Sequence, residues 1–377
     1  MSIQSNDWAT LASAPVDQKL ARFRASVAQP RAEDVSGGLR AFASGLLAQD
    51  LIDMDSYVAV LGGHALNCLT LDGTGEFRDM RTGTSASALT SIYSRAKYGS
   101  QKDIRFLANR VIEYLALQLD NPASHWTRLF TSARKHGDNV VLMTTGWRNV
   151  PSTANVLYDI VVEEFNVTLA HKGLPTLINV KLPRIAPPCE NYASLSTEER
   201  ERVNLVQDHV IPAENFYRWS GVHVVFGDDV LVTGSTADKV LRESLLAGAR
   251  SFQAIYPIAI DPRIALADAT VEEHLNMLEI SHQLDDTLAE LLGASSFQPI
   301  LRTLRLLFAP DNYAALPAFL ERVPAVNWMR VYKAALGNEF LRQPDCIPSL
   351  KLLRSYLEER GLLGAGGETL ARHQSCA

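Results

Sequence analysis

The chain lacks any long hydrophobic run. Its longest apolar stretches, near 222–227 and 254–260, fall far short of the roughly 20 residues a membrane-crossing helix needs. The polar start MSIQSNDW carries no signal-peptide pattern, so a cytoplasmic protein is expected. Cysteine is scarce: Cys68, Cys189, Cys346 and Cys376 stand far apart and form no C-x-x-C pair. That argues against a zinc ribbon and a disulfide framework and predicts reduced thiols. There is no excess of positive charge, with 36 Lys and Arg against 42 Asp and Glu and a net charge of −6. A broad nucleic-acid surface is therefore not expected. No internal repeat or low-complexity tract interrupts the chain.

What remains is an ordinary globular composition: 377 residues, 47% hydrophobic and 21% charged, enough for two domains or one with large extensions. Residues 1–135 read as a mainly helical part. Gln18–Val27 and Leu39–Leu51 have helix-like apolar spacing, Asp72-Gly73-Thr74-Gly75 reads as a turn, and two helices parted at Tyr98-Gly99-Ser100 follow from Ala86. His64 and Cys68 have the spacing of a metal pair on a helix, but no further ligands cluster near them.

From about 136 to 262 the pattern alternates strand and helix, which predicts a parallel sheet with flanking helices. The expected strands are Asn139–Thr144, Leu177–Lys181, Val222–Phe226 and Phe252–Ile260. A helix over Ala154–His171 and another over Ala237–Ala247 lie between them. The proline-containing segment at about 182–203 reads as a long functional loop, with Ser196 and Glu199 at capping-box spacing. Residues 263–377 read as a helical extension. Its leucines at 275–292 form an apolar face suited to helix packing or to a partner such as a second copy.

The chemistry concentrates at 222–236, VHVVFGDDVLVTGST. An apolar strand ends in two acids and turns through Thr233, Gly234, Ser235 and Thr236 into a helix. Small residues let the backbone approach a ligand, and N–H groups at a helix start converge with hydroxyls on a phosphate. Asp228 and Asp229, one strand-end away, suit sugar hydroxyls, directly or through metal-bound water. The site would lie at the carboxyl end of a parallel strand, where open α/β sheets place ligands. Arg148 and Lys181, at or just past strand ends, are candidate cations for a leaving group. Trp147 could stack on an aromatic acceptor or simply pack.

The segment 222–236 resembles the 5-phosphoribosyl-1-pyrophosphate (PRPP) motif of type I phosphoribosyltransferases. Over about 85–260 the chain is most similar to the ComF-type, competence-associated branch. Tyr93–Gly99, Leu195–Arg200 with Asn204, and Leu245–Ala249 match that branch in order. The resemblance implies a type I phosphoribosyltransferase-like core at 136–262 and a Mg²⁺-dependent enzyme using PRPP. Thr233, Gly234, Ser235 and Thr236 would hold the 5′-phosphate, and Asp228 and Asp229 the ribose hydroxyls. The loop of Thr145, Gly146, Arg148 and Asn149, with Lys181, would take the pyrophosphate. The segment 182–203, with Arg184, Glu199 and Arg200, would be a mobile flap. Mg²⁺ would be met mainly by ligand oxygens and water, with Asp228 and Asp229 as candidate contacts. The 6-oxopurine branch has an acid immediately before its Thr-Gly; here that residue is Val232, which tilts the acceptor away from those bases. Purine or pyrimidine bases, an amine and a specialised metabolite all stay open, as does a non-catalytic PRPP or nucleotide sensor signalling through the C-terminal helices.

Overall fold

All six residues of Val222–Gly227 are buried, which marks a strand covered on both faces, and the sheet is built around it. The computed structural model describes residues 8–28, 37–147, 149–183, 219–268 and 270–370. In chain order the strands are β1 (Gly63–Leu71), β2 (Phe77–Asp79), β3 (Asn139–Trp147), β4 (Leu177–Pro183), β5 (Val222–Gly227), β6 (Val230–Leu231) and β7 (Ser251–Ile260). They lie in the order β2-β1-β7-β5-β3-β4, with β6 beside β7. β1, β7, β5 and β3 run parallel, with Ala65 opposite Tyr256, Phe226 opposite Ala254 and Leu142 opposite Val225. β2 turns back on β1. The protein is thus α/β, with a mixed, mostly parallel sheet and flanking helices.

The chain divides into two compact units. The first, Met1–Ser87, Phe106–Gly146 and Leu157–Glu273, contains the sheet. Its helices α1 (Trp8–Leu11), α2 (Val16–Ala28), α3 (Gly37–Ala48) and α4 (Met54–Ala59) supply apolar residues to one core. There Phe42, Leu46, Val58 and Leu61 join Val224, Phe226, Ala254 and Tyr256. Asp53 caps α4 by accepting from the Ser56 N–H at 2.8 Å. The Asp72 turn joins β1 to β2 as its D-G pair predicts: the carboxylate accepts from the Thr74 and Glu76 N–H groups and from Arg78.

The stretch read as mainly helical therefore also contributes two strands, and β1 lies inside the sheet, between β2 and β7. His64 and Cys68 stand on this strand rather than on a helix. His64 Nε2 lies 3.1 Å from Gln253 Oε1, and Cys68 is fully buried with its thiol pushed up to about 12 by burial.

The second unit comprises Ala88–Arg105, Trp147–Val156 and His274–Ala377. It holds most of α5 (Ser87–Lys97) and the starts of α6 (Gln101–Leu119) and α8 (Thr153–His171), with α7 (His125–His136) belonging to the first unit. Its core gathers Phe297, Leu304, Phe319, Trp328 and Leu353. Trp328 Nε1 donates to the Leu320 carbonyl at 2.9 Å, and Asn327 Nδ2 to the Leu292 carbonyl at 2.7 Å. The predicted leucine face is spent here on packing: Leu275, Leu288 and Leu292 are fully buried, while Leu278 is exposed.

At the amino-terminal end of the sheet, His223 of β5 is buried beside its register neighbour Ser251 of β7, with Nδ1 2.7 Å from Ser251 Oγ. Its Nε2 lies 3.3 Å from Asp138 Oδ2, which also binds Arg250 at 2.8 Å. Burial is the main cause that lowers the His223 pKa from 6.5, against the pull of Asp138. His64 and His125 are lowered too, chiefly by burial. The unfolded chain thus takes up protons at a higher pH than the folded one. Stability is expected to be full above about pH 7.5 and to fall as pH drops from the unfolded value near 6.5 through the lower folded values. Urea melts at pH 7.5 and 5.5 check this: His223→Gln should lose less stability between them than the parent, and an equal loss would contradict the assignment.

Candidate functional site

β5 ends at Gly227 and delivers Asp228 and Asp229 at the carboxyl end of the sheet. After the two residues of β6, Thr233 and Gly234 turn the chain into α9 (Ser235–Leu246). Gly234 is the N-cap, in the left-handed region at φ 74° and ψ 5°, where a side chain is strained. A Cβ there would stand 2.5 Å from Leu61 Cδ1 and 3.6 Å from Arg40 Cδ. The turn is thus packed closely against Leu61 and the stem of Arg40, and the first amides of α9 have no intrahelical acceptor.

The sheet order puts this turn at a reversal. From β3 the chain passes through α8 to β4 on one side, then returns to β5 on the other side of β3. β3 and β5 are adjacent and parallel. A crevice at such a point, outside the carboxyl ends of the strands, is where open α/β sheets bind ligands. Thr145 and Gly146, at the end of β3, and the acid pair, which leaves β5, therefore share one end of the sheet. Thr145 and Gly146 belong to β3, but their side chains lie outside the described residues, as do Arg148 and the side chain of Trp147. The flap positions Arg184, Glu199 and Arg200 also lie outside them.

The acid pair is held from its backbone. Asp229 is buried, and its N–H donates to Asp228 Oδ1 at 3.0 Å. Tyr158 of α8 donates its hydroxyl to the Ile255 carbonyl at 2.5 Å and lies 3.2 Å from the Asp228 carbonyl. Its ring lies flat against Gly227, where a Cβ would meet three ring carbons at 2.6–2.7 Å. Burial, then the nearby Asp228, keeps this phenol well above its ordinary pKa of 10.0, so it stays a donor. Nothing in the sequence marks Tyr158, which sits in a helix among apolar residues.

Lys181 is placed differently from its expected role. Its ammonium pairs with Asp159 of α8 at 2.8 Å, and Asn179 donates to the other carboxylate oxygen at 2.6 Å. The cation expected for pyrophosphate already has an acidic partner on the helix over β4. Val232, in the position of the acid found in 6-oxopurine enzymes, is buried.

A cavity of about 540 Å³ opens elsewhere, at the amino-terminal end of β1, between Asp55, His64, Arg81, Arg110, Glu113 and Tyr114. It is therefore not part of the acid-pair site. Among the described residues no three His, Cys, Asp or Glu side chains converge to hold a metal ion. No helix among the described residues is long and apolar enough to cross a membrane. Comparison of the chain with protein-family models, with curated proteins and with solved structures finds no match in any of the three.

Proposed function

We propose that the chain is a Mg²⁺-dependent phosphoribosyltransferase that takes PRPP as donor and has the core of a type I phosphoribosyltransferase. The observation that carries this reading is the buried parallel strand whose end bears Asp228 and Asp229 and whose next turn, at Gly234, opens a helix beside the β3–β5 reversal. Amides and hydroxyls at Thr233–Thr236 would bind the 5′-phosphate. Asp228 and Asp229 would accept from the ribose hydroxyls and orient C1 toward the acceptor. Mg²⁺, carried on the pyrophosphate, would neutralise its charge as the bond to C1 breaks. Thr145 and Gly146, at the end of β3, would hold that leaving group at the same end of the sheet. Closure of 182–203 would keep water from capturing the oxocarbenium-like ribosyl centre. With Val232 before the turn, the acceptor is proposed to be something other than a 6-oxopurine.

Isothermal titration with PRPP and Mg²⁺ tests the reading. The intact protein should bind, and Asp228→Asn combined with Asp229→Asn should weaken binding at least about 100-fold, since each acid would accept charge-assisted hydrogen bonds. No heat from the intact protein, or unchanged affinity in the double variant, refutes it. Mass spectrometry of products formed from PRPP and a cell metabolite extract would identify the acceptor.

A second reading is a PRPP-binding regulator without catalysis, favoured by the size of the separate helical unit and its own core. PRPP binding with no pyrophosphate released across a broad acceptor panel would select it.

A further inference from the structure

Four acids surround the carboxyl end of the sheet where the turn lies: Asp228 and Asp229 after β5, Asp238 in the first turn of α9, and Asp261 after β7. Asp261 is already bound to Arg263 at 2.8 Å. A phosphate dianion entering among these groups meets like charge, which only a nearby cation offsets. Arg40 of α3 is 7% exposed, a rare degree of burial for arginine. Its aliphatic stem lies against Gly234, the residue that opens the phosphate turn.

Tyr57 of α4 has Arg40, Asp238 and Asp261 as its charged neighbours, and Leu61, in the turn after α4, fills the space where a Gly234 side chain would stand. Tyr57 is 2% exposed, and its hydroxyl has no hydrogen-bond partner among the described residues. Burial raises its pKa to about 12, with Arg40 opposing and Asp238 and Asp261 reinforcing, so the oxygen keeps its proton among just these charged groups. A buried hydroxyl left unsatisfied costs about 1–3 kcal/mol, and an incoming acceptor would relieve it.

We infer that Arg40 and Tyr57 complete the phosphate site at 233–236, the guanidinium supplying charge and the phenol a donor for a dianionic phosphomonoester such as the 5′-phosphate of a ribose phosphate. This rests on the reading of that turn given above, and it assigns the phosphate two ligands from the amino-terminal helices rather than from the strand–turn–helix motif. The turn's own amides and hydroxyls would fix the position of the phosphate, and Arg40 would set its selectivity for the doubly charged form over a neutral sugar.

The test titrates the full chain, parent and variants, with ribose 5-phosphate, inorganic phosphate, PRPP and inorganic pyrophosphate with Mg²⁺, after thermal melts confirm folding. Arg40→Met keeps the stem and removes the charge. It should weaken ribose 5-phosphate and PRPP about 10- to 100-fold, the range for a hydrogen bond to a charged group, while pyrophosphate binding changes less than about two-fold. Arg40→Lys should recover part of the loss. Tyr57→Phe should weaken ribose 5-phosphate several-fold and leave the melting temperature equal or higher, since it deletes an unsatisfied buried oxygen. That opposite movement is not produced by a residue that merely packs. Inorganic phosphate affected as strongly as ribose 5-phosphate would show that the pair reads the phosphoryl group alone, which also supports the inference. Parent-like affinity for ribose 5-phosphate in folded Arg40→Met overturns the inference and leaves the PRPP reading standing. Equal losses for every ligand also overturn it. A parent protein that binds neither ribose 5-phosphate nor PRPP overturns both.

Discussion

Gly227→Ala is expected to cost about 3 kcal/mol of stability, the upper part of the range for forcing a methyl group into a filled core, and to weaken PRPP binding at least tenfold. The added Cβ would stand 2.6–2.7 Å from three carbons of the Tyr158 ring. That ring cannot swing aside: it is fully buried, and its hydroxyl is fastened to the Ile255 carbonyl at 2.5 Å. β5 must therefore move, carrying with it the backbone of Asp228, whose N–H donates to the Ile255 carbonyl of β7 at 3.4 Å. Displacement of a site by about 1 Å is enough to cost orders of magnitude in rate. A double-mutant cycle settles the cause. In a Tyr158→Ala background, Gly227→Ala should cost far less than in the parent, because the obstacle has gone. Equal costs in the two backgrounds, measured by urea unfolding, would remove Tyr158 from the account.

Trp328→Ala is expected to destabilise the helical unit by about 3–5 kcal/mol, as loss of a buried large aromatic commonly does. The indole is fully buried, packs edge-on against Phe319 at 5.9 Å, and donates to the Leu320 carbonyl. Truncation opens a cavity and leaves that carbonyl without its donor. Trp328→Phe should recover part of the packing but not the hydrogen bond. At a temperature where the variant is still folded by circular dichroism, its ribose 5-phosphate affinity should stay within about two-fold of the parent, because every residue assigned to phosphate and ribose belongs to the sheet-containing unit. A collapse of ribose 5-phosphate affinity in the folded variant would mean that the helical unit takes part in the phosphate site.

What could be read from the residues alone was whatever is encoded within a short window. The strand at 222–227, the acids after it, the turn at Gly234 and the helix behind it are consecutive, and each has its own signal: an apolar run, a carboxylate pair, a positive-φ glycine and an amphipathic repeat. The two helices parted at Tyr98–Ser100 were equally plain, and α5 and α6 fall where their spacing puts them. β1 was harder. Its sequence GHALNCLTL mixes buried and half-buried positions without clean alternation, and its strand character comes from partners on β7 almost two hundred positions away. α7 escaped notice although Ser124 caps its start and Gly137 its end. The contacts that support the candidate site are non-local for the same reason. Tyr158 reaches carbonyls 70 and 97 residues away, Arg40 and Leu61 meet Gly234 across most of the sheet-containing unit, and Lys181 is claimed by Asp159. No spacing rule connects such pairs.

The place of β1 bears on how the protein is made. Its hydrogen-bonded edge is completed by β7, and Asn67 donates to the Pro257 carbonyl across 190 residues of chain. At about 5–20 residues per second, a ribosome needs roughly 10–40 s to travel from one strand to the other. During that interval the nascent chain carries β1 with β2 on one side and an open edge on the other, the kind of edge that recruits other chains. Synthesis thus imposes an order. The sheet closes only when its central seam, β7, arrives between β1 and β5.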